Sequence, residues 1–159
     1  MLLTRVITAV CLLIVILPIL FFAPPAGLAG LVTVVAALAA WEWGRLVRLP
    51  GWWGPVVYAI VVVMLTIAWH DIPVRGDVQP LFHGAVVAWV IAWALLAGGV
   101  RELHGTRKIV FTLLGLVMLP AFVHGAIELR THGVAFLLSV AVLVWAADVG
   151  AYFVGKAMG

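Results

Sequence analysis

The chain has 159 residues, 67% of them hydrophobic and 9% charged, with a mean hydropathy of +1.30. Soluble domains hold about 45–50% apolar and about 25% charged residues, so this composition excludes a water-soluble globular protein; it leaves room for five or six membrane spans of about 20 residues each and almost none for a soluble domain. A formal charge of +3 and a pI near 9.6 do not call for nucleic acid, because the nine basic residues are scattered in short loops, where they set topology and contact lipid phosphates.

The hydropathy predicts an all-α polytopic bundle of six spans in a single transmembrane domain: 6–22, 26–45, 52–69, 81–100, 109–127 and 134–155. Arg5 followed by the uncharged run 6–22 has the charge order of a signal peptide. The run exceeds the roughly 7–15-residue apolar region of such peptides, and the Ala-Leu-Ala at 37–39 lies deep in the next apolar segment, so a retained helix is expected. Cys11, the lone cysteine, excludes an intramolecular disulfide and a cysteine-based metal site. Pro24-Pro25 forbids a continuous helix between the first two spans and predicts a tight helical hairpin. Pro55 falls in the first turn of the third span, where proline is tolerated, and Pro120 should kink the fifth or free a carbonyl for another partner.

Charge sets the orientation. With six spans, Arg5, Arg45, Arg48, Arg101, Arg107, Lys108 and Lys156 share one side, against Arg75 and Arg130 on the other. Both termini are therefore expected in the cytoplasm, in the inner membrane. Trp41, Trp43, Trp52, Trp53 and Trp69 cluster at predicted span ends, as an interfacial aromatic belt would.

The last span carries Asp148, its only ionisable side chain besides the phenol of Tyr152. A carboxylate near the centre of a bilayer helix costs roughly 2.5–3.5 kcal/mol on insertion scales, so such residues normally face a bundle interior or wet cavity and mark a substrate or ion path. Lys156 follows eight residues later, which puts Asp148 about 12 Å inside the cytoplasmic end at 1.5 Å per residue. Trp145, Tyr152 and Gly155 share its helix face, and Gly150 and Gly155 leave room for close approach. These residues describe a lining for a cation–phosphate site; they equally describe a tight helix crossing around one satisfied acid.

Other polar residues point to structure. Glu42 stands three residues before Arg45, the spacing of an interfacial ion pair, with a substrate or metal contact as the alternative. His124, four residues after Pro120, has no His, Cys or acid at ligand spacing. His70, Asp71 and Asp77 read as a solvated loop, and His83, His104 and His132 lie near span ends with no constellation around them. No Walker loop, H-E-x-x-H or G-x-S-x-G occurs, and neither Ser139 nor Thr112 has a visible base.

Two blocks carry a family resemblance. Arg5-Val6-Ile7-Thr8-Ala9, then residues 21–25 (Phe-Phe-Ala-Pro-Pro) and Ala39-Ala40-Trp41-Glu42-Trp43-Gly44-Arg45-Leu46 resemble the start of bacterial phosphatidate cytidylyltransferases (CDP-diacylglycerol synthases). Residues 143–156, with Ala147-Asp148-Val149-Gly150-Ala151-Tyr152 at their centre and Gly155-Lys156 at their end, resemble the pattern A-D-[S/T]-G-A-Y-x-x-G-[K/R] found in the middle of that family's sequences. The intervening part, roughly residues 51–127, agrees in hydropathy only.

The resemblance implies a nucleotidyl transfer in which phosphatidic acid and CTP give CDP-diacylglycerol and pyrophosphate. It also implies Mg2+ or another divalent cation, with Asp148 as a metal position and Tyr152 and Lys156 in substrate contact. Val149 stands where the family pattern has a hydroxyl residue, and the sequence stops at Gly159, before the family's basic Ser-Pro-Gly-Lys-Thr-like segment and its Lys-Asp, His-Gly-Gly and paired-Asp region. The expectation is thus an amino-terminal half that is inactive alone and completed by a homodimer partner or a separate carboxy-terminal half. Two other readings stay open: a non-catalytic membrane subunit packing against a partner through its glycine-rich helices, and a small cation- or proton-coupled transporter using Asp148.

Overall fold

The computed structural model describes residues 2–71, 79–98 and 104–158. Among these residues every regular element is a helix: α1 (Leu2–Phe22), α2 (Pro25–Leu46), α3 (Trp53–Asp71), α4 (Gln79–Ala97), α5 (Gly105–Thr131) and α6 (Val134–Met158). Each corresponds to one predicted span. Arg75, Asp77 and Arg101 lie outside the described residues.

The boundaries differ from the hydropathy where polar residues or caps decide them. α5 extends beyond 109–127 at both ends, because Thr106, Arg107, Lys108, Glu128 and Arg130 continue the helix without being apolar. α4 stops at Ala97 rather than at residue 100. Gly98 follows, and Arg107 donates to the Leu95 carbonyl at 2.8 Å, satisfying one of the last-turn acceptors that a helix end leaves unpaired. His70 and Asp71, expected in a loop, are the last residues of α3. The helix break falls at Ala23-Pro24, and Pro55 sits in the first turn of α3 as expected. α5 continues through Pro120.

The chain divides into two compact units, residues 26–125 and residues 1–25 with 126–159. In the first, α2 buries Leu28, Val32, Ala36, Ala40 and Gly44, one row at four-residue spacing whose later members are small. Small side chains let helix backbones approach closely where lipid removes the hydrophobic drive for association. A Cβ on Gly44 would come within 2.8 Å of the Pro55 Cα, so glycine is what allows α2 and α3 to meet there. Ala40, Tyr58 and Val62 form a core with Trp43, Leu49, Leu116 and Leu119 against it; Ala88, Ala92 and Leu114 form another with Phe111 and Met118. α5 belongs to both. In the second unit, α5 turns into α6 at His132-Gly133. Gly133 (φ 108) takes a backbone conformation that residues with a Cβ disfavour, and Leu137 N–H bonds to its carbonyl.

Among the described residues four helices, α2, α4, α5 and α6, are long and apolar enough to cross a membrane; the shorter apolar helical stretches Leu13–Phe22 and Trp53–Trp69 belong to α1 and α3. The fold is that of an all-α, multi-pass membrane protein.

Candidate functional site

α6 forms because 134–158 has no proline and is dominated by Val, Ala and Leu, with Lys156 in its last turn. None of its residues is buried. Asp148, Tyr152 and Lys156 stand at i, i+4 and i+8, about 6 Å apart along the axis and on one face. All three are exposed, and Asp148 makes no hydrogen bond or ion pair among the described residues. The Tyr152 ring packs edge-on against Phe153 at 5.6 Å. Nothing comes within 4 Å of where a Cβ would stand on Gly150 or Gly155.

A cation needs more than this face supplies. Mg2+ is typically held by one or two carboxylates together with substrate phosphates and water. Among the described residues no three His, Cys, Asp or Glu side chains gather at ligand distance. Among the described residues, Asp148 alone does not make up a cation site.

The remaining candidates resolve into structural roles. Glu42 pairs with Arg45 at 3.0 Å as its spacing suggested, both side chains well exposed. His124 is buried, its Nε2 3.2 Å from the Thr66 carbonyl, while the Thr66 hydroxyl donates to Val62. Thr112 and Ser139 turn their hydroxyls back onto helix carbonyls, at Lys108 and Phe136, and so are occupied as donors.

Two groupings escaped the sequence reading. The Trp43 indole donates to the Phe111 carbonyl (2.9 Å) and the Tyr58 hydroxyl to the Thr112 carbonyl (2.7 Å), so two helices are bonded to the backbone of α5. Gly115 makes room for both: a Cβ there would lie 2.6 Å from Trp43 Nε1 and would collide with the Tyr58 hydroxyl. Tyr58 carried a usable signal, since a phenol inside an apolar span must find an acceptor. The second grouping is a basic corner at the end of α2. Arg48 adopts φ 54, Arg48 N–H bonds to Arg45 O, and Leu49 N–H bonds to Gly44 O. That pair of bonds is the Schellman helix stop, which usually places glycine at the left-handed position. Lys108 Nζ donates to the Arg48 carbonyl at 2.7 Å.

An all-α membrane fold carrying an acid, a phenol and a lysine on one helix face defines a class, and comparison with known proteins narrows it. The chain belongs to the Cytidylyltransferase family, whose sequence model it matches over residues 3–159. It is similar over its whole length to the phosphatidate cytidylyltransferase of Pseudomonas aeruginosa, with 36% identity over 163 residues covering 59% of that protein. To the phosphatidate cytidylyltransferase of Haemophilus influenzae it is 31% identical over 183 residues, again along its whole length and covering 62% of the relative. The chain thus spans about three-fifths of the length of these curated relatives. No solved structure matches it.

Proposed function

We propose that this chain is the amino-terminal membrane part of a phosphatidate cytidylyltransferase of the inner membrane, acting in phospholipid biosynthesis. The observation that carries the reading is similarity to named phosphatidate cytidylyltransferases along the entire sequence at 31–36% identity. The reaction is attack by a phosphate oxygen of phosphatidic acid on the α-phosphorus of CTP. A P–O bond forms to the lipid, the bond to the β-phosphate breaks, and pyrophosphate leaves. Such chemistry is mainly positioning and neutralisation of charge. Lys156 is suited to hold a phosphate, Tyr152 to donate a hydrogen bond to one, and Asp148 to contribute one carboxylate to a divalent-cation site completed by other groups.

The topology that fits is six spans with both termini cytoplasmic, which places the Lys156 end of α6 towards CTP in the cytosol and leaves phosphatidic acid to enter from the cytoplasmic leaflet. Turnover requires the further polypeptide that the longer relatives have, or a second copy. An uncovered aspartate on α6 supports this, because a lipid-facing carboxylate is costly and a partner relieves it. The same exposure favours a second reading, a non-catalytic membrane subunit that docks a partner through α6.

The test is incorporation of labelled CTP into phosphatidic acid in liposomes. The protein is assayed by itself and with a co-expressed carboxy-terminal part of a relative, each with native Asp148 and with Asp148→Asn. The expected result is no turnover by itself, turnover on completion, and a loss of at least about 100-fold, or roughly 2.7 kcal/mol of transition-state stabilisation, in Asp148→Asn. Completion without turnover favours the subunit reading. Turnover indifferent to Asp148→Asn removes that residue from the site.

A further inference from the structure

We propose that the face formed by α2 and α3 binds a phospholipid with an anionic headgroup, one acyl tail in the groove between the helices and the phosphate against Arg45 and Arg48. The site makes no use of Asp148, α6 or CTP, so it stands or falls separately from the reaction proposed above.

The groove has a volume of about 360 Å³, and all its lining side chains are apolar, among them Leu38 and Trp41 of α2 and Val56, Ile60 and Met64 of α3. From Val56 to Met64 the helix rises about 12 Å, most of the depth of one leaflet in a hydrocarbon core about 30 Å thick. A dry apolar groove at that depth accepts hydrocarbon. What singles out one kind of lipid is the chemistry at the mouth.

Trp41 closes the groove at the end nearest the α2–α3 turn, and the Arg45 guanidinium lies over its ring, 5.0 Å from the centroid. Trp52 and Trp53, their ring centroids 3.6 Å apart at a tilt of 30° and both exposed, flank the start of α3. Tryptophans in this arrangement mark headgroup depth. Arg48 follows in a left-handed conformation that a residue with a Cβ adopts only at a cost and that glycine would adopt freely. Its strained carbonyl holds Lys108, which brings a further cation to the corner. Glu42, the carboxylate of this helix end, is already bonded to Arg45. An exposed i,i+3 pair of this kind is weak and exchangeable, so a phosphate carrying a full charge competes for Arg45. A helix stop carrying two arginines, with Lys108 bonded to its backbone and Arg45 over the Trp41 ring that lines an apolar groove, matches a lipid phosphate with its acyl tail below. It does not match a hydrophobic helix from another protein, which would leave the corner unpaired.

The experiment uses the protein in phosphatidylcholine vesicles containing either phosphatidylglycerol, an anionic lipid that is not the substrate of the reaction proposed above, or phosphatidylcholine with brominated acyl tails. Quenching of tryptophan fluorescence is read against a Trp41→Phe background. Wild type is expected to reach half-quenching at a fraction of the brominated anionic lipid about 25-fold lower than of the zwitterionic one. Each basic residue at an anionic surface contributes about fivefold, so Arg45→Gln/Arg48→Gln should bring the two lipids close to parity. Arg48→Gly keeps the helix stop with an unstrained residue, so its share of the loss reads charge rather than folding. Equal quenching by both lipids in wild type overturns the proposal, as does an unchanged preference in the double variant. Displacement of the anionic lipid by inorganic phosphate would overturn it in favour of a site for free anions. Loss of quenching on dimerisation, followed by light scattering, would overturn it in favour of a second copy filling the groove.

Discussion

α5 and α6 are close to twins in sequence terms: 27 and 25 residues, each with a most apolar window of mean hydropathy 2.1. Their fates differ. A third of the α5 window is buried, while none of α6 is. Hydrophobicity therefore does not decide which helix packs, as expected where the surrounding lipid is as apolar as the side chains. What α5 has is specific: Gly115 admits the Trp43 indole and the Tyr58 phenol to its backbone, and His124 reaches Thr66. α6 has Gly150 and Gly155 with open space beside them, and its one side-chain hydrogen bond among the described residues, from Ser139 to Phe136, stays within the helix. Close approach combined with a polar bond holds a helix here; small residues by themselves do not.

The sharpest way to break this contrast is Gly115→Leu. In a helix interior, leucine is intrinsically better than glycine by somewhat under about 1 kcal/mol, so a helix held by apolarity alone would gain stability. Instead the new side chain meets Trp43 and Tyr58. Overpacking of about 1–3 kcal/mol adds to the loss of two hydrogen bonds at about 0.5–1.5 kcal/mol each; less the propensity gain, the net destabilisation is about 1–5 kcal/mol. Thermal unfolding in detergent, followed by size-exclusion recovery, measures it. A midpoint at or above wild type would mean that α5 is not held by this contact.

Tyr58→Phe isolates the hydrogen bond from the packing. The ring remains in the Ala40–Val62 core and only the hydroxyl is lost. The Thr112 carbonyl still has its helical partner, so the expected cost is about 0.5–1.5 kcal/mol. Combining it with Trp43→Phe in a double-mutant cycle sharpens the result. The two donors act on adjacent carbonyls around one glycine, so their effects should fail to add by at least about 0.5 kcal/mol. Strict additivity would show two independent contacts.

The six helices were legible because apolar run length and proline placement are local properties: Pro24 and Pro55 needed no partner to be read, whereas the end of α4, where Arg107 bonds the Leu95 carbonyl, did. The Glu42–Arg45 pair was legible for the same reason, lying three residues apart on one helix. Contacts across the sequence were not. Trp43 was read as interfacial belt, and nothing local distinguishes an indole that points at headgroups from one that bonds Phe111, 68 residues away. Arg48 was read as a topology charge and lipid-phosphate contact and not as a helix stop, because the usual glycine signal for its left-handed conformation is missing. Asp148 was conspicuous by its type and position, but whether an acid is paired depends on what stands opposite it.

That dependence makes Asp148→Asn the finest test of the contrast, since one substitution can be read in two settings. In the isolated 159-residue protein the carboxylate is exposed and unpartnered among the described residues. Removing its charge should therefore move the unfolding free energy by less than about 0.5 kcal/mol, as at surface positions away from special features. In a family-length protein the acid is either enclosed with partners or faces outward. Enclosure with a cationic partner turns the same substitution into the breaking of a buried pair, about 3–5 kcal/mol. A null effect in the isolated protein and a large one in the completed form would show that α6 awaits its packing surface and that Asp148 is part of it. A null effect in both settings would leave α6 a lipid-facing helix, and the acid would then owe its place to something other than helix packing.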